Sequence, residues 1–147
     1  MKISTRGRYG TRMLVDLALH EGEGPVQLKD IAGRQGISLQ YLEHLVGPLI
    51  AAGIIRSVRG ARGGVLLRKR PEEIRLSEVV NALEGSLCVV DCLNNPESCT
   101  RYEFCSVREI WYNLKDAMNG ILESTTLQGL VEKQRKKVKP VEPMYYI

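Results

Sequence analysis

Two short helical segments joined by a tight glycine-containing turn limit what this chain can become. The first runs from about Leu28 to Arg34, and Gly36 stops it as a C-cap glycine does, because glycine enters left-handed backbone without a Cβ penalty. Ser38 stands one turn before Leu42 with the side chain of an N-cap. It opens a second segment, SLQYLEHLVGPLIAAG, that closes at Gly53. In this second helix Leu42, Leu45, Val46, Leu49 and Ile50 recur at steps of three and four, which makes that face core. Gln40, Tyr41, Glu43 and His44 are left on the opposite face. Two helices joined by a tight glycine-containing turn form a helix-turn-helix, and its second helix is the groove reader.

What comes next extends that reading. Ile54 to Val58 and Gly64 to Leu67 are strand-like, with Arg59 to Gly63 (RGARG) as the turn between them. This predicts a β-hairpin wing with arginines at its tip, suited to phosphates or to a narrow minor groove. Charge is distributed to match. From Met1 to Arg75 there are 13 Lys and Arg against 7 Asp and Glu, a net of +6; from Leu76 to Ile147 the counts are 8 and 10, a net of −2. A polyanion therefore suits the N-terminal half. The expected base-edge readers are Gln40, Glu43 and His44, with Ser38 and Tyr41 on phosphates. Arg56, Arg59 and Arg62 serve the wing, and Lys2, Thr5 and Arg6 at the N-terminus complete the DNA-binding set. Glu43 would act as a discriminator, since a carboxylate accepts from a cytosine amino group and is repelled by other base acceptors and by phosphate.

Around this unit the pattern predicts a helix over Thr11 to His20, with Met13, Leu14, Leu17 and Ala18 inward and the turn Glu21 to Pro25 after it. Pro71 breaks the chain, and Ser77 is expected to cap a short helix through Leu83. Aromatic residues are scarce at 5%, so the core must be aliphatic. The start of the sequence has no apolar run of signal-peptide or membrane-spanning kind, which makes the cytoplasm the expected location.

All four cysteines, Cys88, Cys92, Cys99 and Cys105, fall between Leu87 and Arg108 in polar, turn-rich sequence. In a cytosolic chain such a cluster favours metal or redox chemistry over structural disulfides. Six residues separate Cys92 from Cys99 and five separate Cys99 from Cys105, wider than the gaps within a zinc knuckle. An irregular loop can wrap thiolates around a larger iron–sulfur cluster. Arg101 and Arg108 nearby would favour thiolate. Iron–sulfur ligation, zinc and a reversible disulfide all remain open on this chemistry. An enzyme is disfavoured: His20 and His44 lie far from the cysteines in sequence, and no phosphate-cradling or nucleophile motif is present.

After the cysteines, Ser106 and Glu109 have capping-box spacing for a long helix. In it Val107, Ile110, Leu114, Ala117 and Ile121 make a seam of the kind that pairs helices, here read as a dimer interface. Ser124 and Thr125 mark a break before a final short helix, TLQGLVEK. The charged tail that follows, with Pro140 and Pro143, is expected to be mobile as far as Pro143 and to dock through its terminal Tyr145, Tyr146 and Ile147. The division expected is 1–84 for the DNA-binding domain, 85–105 for a cluster-binding loop, 106–135 for the dimerisation helix and final short helix, and 136–147 for the tail. The fold class is mainly α: a winged helix-turn-helix with a small hairpin wing and a long C-terminal dimerisation helix.

Four segments together resemble the IscR/CymR/NsrR group of bacterial winged-helix regulators over nearly the whole chain: MKISTRGRYG, LKDIAGRQGISLQYLEHLVGPL, IRSVRGARGGVLL and the cysteine loop. The resemblance implies a homodimeric repressor on palindromic operators. Its IscR-like form would regulate iron–sulfur assembly genes and hold a [2Fe-2S] cluster at Cys92, Cys99 and Cys105. Two positions depart from the group. Arg108 stands where IscR-type proteins have a histidine ligand, and Arg8 where NsrR-type proteins have an acidic one. The candidate fourth ligands are then Cys88, Asp91, Glu97, Glu103 and Glu109. The ending PMYYI resembles CymR-type repressors of cysteine metabolism, which implies a cysteine synthase partner engaged through Tyr146 and Ile147, although CymR-like proteins generally lack the three-cysteine loop.

Overall fold

A computed structural model describes residues 2–138 of the chain. Helix α1 (Thr5–Leu19) crosses the centre, followed by α2 (Leu28–Gln35) and α3 (Leu39–Ala51). Strands β1 (Ile55–Val58) and β2 (Gly64–Leu67) then form an antiparallel hairpin in which Ile55 faces Leu67 and Val58 faces Gly64. Helices α4 (Leu76–Glu84), α5 (Arg108–Ser124) and α6 (Leu127–Lys137) complete the described chain. The core is aliphatic, as the scarcity of aromatics requires. Met13, Leu14 and Leu17 of α1 meet Ile31, then Leu42, Leu45 and Leu49 of α3, and Val79 and Leu83 of α4.

The helix-turn-helix follows its punctuation. Gly36 adopts φ 62°, ψ 38°, and the Ser38 hydroxyl accepts from the Tyr41 N–H at 3.2 Å. The apolar stripe of α3 is narrower than expected: Leu42, Leu45 and Leu49 are buried, but Ile50 is 36% exposed because it lies one position round the helix from them.

The structure corrects several boundaries. The first helix begins at Thr5 rather than Thr11. Gly7 and Gly10 mark where α4 presses on α1. A Cβ on Gly10 would stand 2.2 Å from Leu83 Cδ1, and one on Gly7 2.5 Å from Glu84 Oε1. The Glu84 carboxylate then serves as a cap from outside the helix. It accepts from the Ser4 N–H at 2.9 Å, the Ser4 hydroxyl at 2.5 Å and the Gly7 N–H at 3.0 Å. Ser77 is not a cap but a buried residue inside α4, which starts after Arg75. Ser106 and Glu109 form no capping box, because Val107 precedes α5 with no side-chain cap. The last helix extends to Lys137 with Thr126 as its N-cap, so part of the expected tail is helical. Tyr145, Tyr146 and Ile147 lie outside the described residues.

Helix α6 returns to the N-terminal unit instead of continuing with α5. Leu127 and Val131 are buried in the common core. The connection is stitched to the entry of α4: the Leu76 N–H donates to Thr125 O at 2.8 Å, the Leu127 N–H to Ile74 O at 2.8 Å, and Arg75 Nη1 to Glu123 O at 2.7 Å. Helix α5 buries none of its residues.

Candidate nucleic-acid interface and cysteine loop

The first turns of α3 expose Gln40, Glu43 and His44 to solvent, at positions that share one face of the helix. Tyr41 is half-buried beside them, its ring edge-on to that of Tyr9 at 5.6 Å and 81°. This contact sets α3 against α1. Over the same Tyr9 ring lie the guanidinium groups of Arg8 at 5.8 Å and Arg12 at 5.4 Å. Sequence reading gave Tyr9, Arg8 and Arg12 no place on this surface, because no local pattern says that α1 passes the start of α3. At the wing, Arg56, Arg59 and Arg62 are all exposed. Of the N-terminal candidates, Thr5 starts α1 and Arg6 is exposed there, while Lys2 lines an apolar pocket with Ile3, Leu87, Cys88 and Met118. That places Lys2 beside the cysteine loop.

Beneath this surface an ion pair fixes α2 on α1. Asp16, only 2% exposed, accepts from Arg34 Nη2 at 2.6 Å, from Arg34 Nε at 3.0 and 3.2 Å, and from Gln35 Nε2 at 3.0 Å. Burial by itself would push this carboxyl up. The hydrogen bonds from Arg34 and Gln35, with the charges of Arg34 and His20, hold it below its ordinary value instead. Helix α3 follows α2 directly, so this pair contributes to its placement.

The cysteine loop is built of three short 3-10 turns, Asp91–Leu93, Pro96–Ser98 and Tyr102–Phe104. Cys88, Cys92, Cys99 and Cys105 are each half-buried, with free thiols. Lys115 of α5 donates to Asn94 Oδ1 at 2.7 Å and ties the first turn down. Arg108 stacks 4.1 Å above the Tyr102 ring and donates to the Tyr102 carbonyl, so the residue standing where a histidine ligand was expected braces the last turn. Cys88 donates to Val90 O at 2.8 Å within the apolar pocket it shares with Ile3. Asp91, Glu97, Glu103 and Glu109 are exposed. As a donor set the three spaced thiols have the chemistry of an iron–sulfur site. Among the described residues, however, no three His, Cys, Asp or Glu side chains stand close enough to hold one metal ion.

A family model described as "Rrf2: Iron-dependent Transcriptional regulator" matches residues 3–133. The chain belongs to the Rrf2 family. Among similar Rrf2-type proteins, the regulator CymR of Bacillus subtilis is 42% identical over 130 residues, covering 88% of this chain and 89% of the relative. The regulator IscR of Photorhabdus laumondii is 42% identical over 134 residues, covering 91% and 81%. The solved structure of T. potens IscR superposes with a TM-score of 0.78 at 38% identity, covering 99% of this chain and 97% of that one. The winged helix-turn-helix architecture and the regulator class are therefore those of the Rrf2 family, and the protein is a transcriptional regulator rather than an enzyme.

Two further features of this Rrf2 chain bear on assembly and signalling. The seam of α5 is open: Val107 is 52% exposed, Ile110 60%, Leu114 37% and Ile121 66%. No helix of the described residues is long and apolar enough to cross a membrane.

Proposed function

We propose that the protein is a cytoplasmic, homodimeric repressor that reads palindromic duplex DNA with α3 and the wing, and that its cysteine loop is the signal input. The observation that carries this reading is the union, in one chain, of an exposed Gln40–Glu43–His44 face on a winged helix-turn-helix with a three-thiol loop leading into an uncovered apolar helix. The α5 seam is the dimer surface, since an apolar stripe of this size in water is stabilised by pairing. Gln40, Glu43 and His44 address base edges, and Ser38, Tyr41, Lys2, Thr5 and Arg6 phosphates. Arg56, Arg59 and Arg62 serve the wing.

For the signal, a [2Fe-2S] cluster held by Cys92, Cys99 and Cys105 is the first reading, and IscR relatives support it. Such a cluster supplies one-electron redox chemistry when bound. The genes controlled are then those of iron–sulfur assembly. Anaerobic reconstitution of wild type and Cys92→Ala, followed by visible absorption and iron and sulfide analysis, tests it. Wild type should gain a coloured cluster with equal iron and sulfide, and the variant should lose it. A colourless protein that holds zinc would sink this reading.

The engagement of Arg108 with Tyr102, in place of a ligating histidine, favours a second reading. In it the protein is a CymR-like repressor of cysteine metabolism, as distinct from a third reading, a metal-free thiol redox switch. CymR relatives support this. A cysteine synthase engaged through Tyr146 and Ile147 belongs to it. Unchanged binding to such an enzyme after deletion of 144–147 would remove that partner.

A further inference from the structure

The sequence counts the cations of α6 with an acidic half, but the fold moves them. Helix α6 carries Lys133, Arg135, Lys136 and Lys137 against Glu132 alone, and its buried Leu127 and Val131 clamp it onto the N-terminal domain. All four cations are exposed, and none pairs with a carboxylate among the described residues. Basic residues in a last helical turn suit the helix dipole, which accounts for Arg135, Lys136 and Lys137. It does not account for Lys133, a turn earlier and on the same face as Lys137.

Both lysines line an open cleft of about 500 Å³ between α1 and α6, together with Arg12 and Gln35. Arg12 joins this cleft to the reading head. Its guanidinium donates to the Gln35 carbonyl and side chain and lies over Tyr9, whose ring meets Tyr41 of α3. Gln35 is three residues before Ser38, the N-cap of α3, a span of at most about 10 Å. A line of cations thus runs from Arg8 over Tyr9, through Arg12, to Lys133 and Lys137.

We infer that the α1–α6 cleft is a second phosphate-binding surface, through which Arg12, Lys133 and Lys137 hold duplex DNA flanking the sequence read by α3. This rests on the DNA-binding reading above and adds a site to it. The surface is sequence-neutral, since lysines on phosphates release counterions without reading bases. It lengthens the duplex that one protomer needs for full affinity.

The test uses the full chain and the palindrome that wild type selects from random duplexes. That palindrome is placed in a long duplex, with about one helical turn (about 10 base pairs) of flank on each side, and in a trimmed one. Binding is measured by fluorescence anisotropy across a salt series. For wild type, the slope of log affinity against log salt should be steeper on the long duplex. Lys133→Gln/Lys137→Gln should flatten it by about two per protomer on the long duplex and leave the trimmed one unchanged. Arg135→Gln/Lys136→Gln, which removes equal charge outside the cleft, should keep the wild-type slope. Equal slopes on long and trimmed duplexes for wild type overturn the inference, and so does equal flattening by both double variants. A wild type that selects no duplex removes the DNA-binding reading itself.

Discussion

Replacing Arg34 by Met strips the Asp16 carboxylate of both guanidinium contacts and leaves it only Gln35 and the half-buried His20 beside it. Breaking a fully buried ion pair from one side typically costs about 3–5 kcal/mol, because the remaining charge is left desolvated and unpaired. Asp16 meets that condition at 2% exposure, but the Arg34 side chain is 37% exposed and is already partly screened. The discounted expectation is a loss of about 2–3 kcal/mol at neutral pH, a fall in Tm of about 5–10 °C for a chain of this size. Urea denaturation of wild type, Arg34→Met, Asp16→Asn and the double variant, at one protein concentration, measures it. The double-mutant cycle should return a coupling above about 1 kcal/mol. The pH dependence has a definite sign. The folded-state pKa of Asp16 lies below its ordinary 3.8, so its contribution is fully present above that value and fades as pH falls through the folded one. The gap between wild type and Arg34→Met should therefore close in acid. A coupling near zero, or a gap as wide well below pH 3.8 as at neutral pH, would refute the account.

Two helical glycines should respond to substitution in opposite directions. Gly10→Ala drives a methyl into Leu83 and should destabilise by about 1–3 kcal/mol, whereas Gly33→Ala, with nothing within 4 Å of the added atom in α2, should stabilise by about 0.5–1 kcal/mol; thermal melts of the two decide it. Glu43→Ala should relax operator choice, with competition binding between selected and base-substituted palindromes as the measure, and unchanged selectivity would remove its role as discriminator.

The helix-turn-helix and wing were legible because their signals are local: a glycine in left-handed backbone at Gly36, a capping serine at Ser38, alternating apolar strands around an arginine turn. The α5 seam was legible as a pattern, and its exposure at Ile110 and Ile121 agrees with the periodicity. What escaped depends on distant partners. The close approach of α4 at Gly7 and Gly10, and the pairing of Asp16 with Arg34 of the next helix, have no local signal in the sequence. The positive charge of α6 was assigned by its place in the chain, whereas packing of Leu127 and Val131 decides where it acts. Inside the cysteine loop, 3-10 turns carry no periodicity for a sequence pattern to reveal.

The clasp of Glu84 on Ser4 and Gly7 has a consequence for the residues ahead of it. A helix start normally frays, and whatever precedes it searches a wide volume. Here the first amides of α1 are held by another helix, so fraying requires α1 and α4 to part. Lys2 and Ile3 therefore leave from a fixed origin, and two extended residues reach only about 7 Å from it. A backbone confined to that radius has little freedom left to lose when Lys2 meets a partner, so its contacts are opposed by less backbone entropy than those of a free arm.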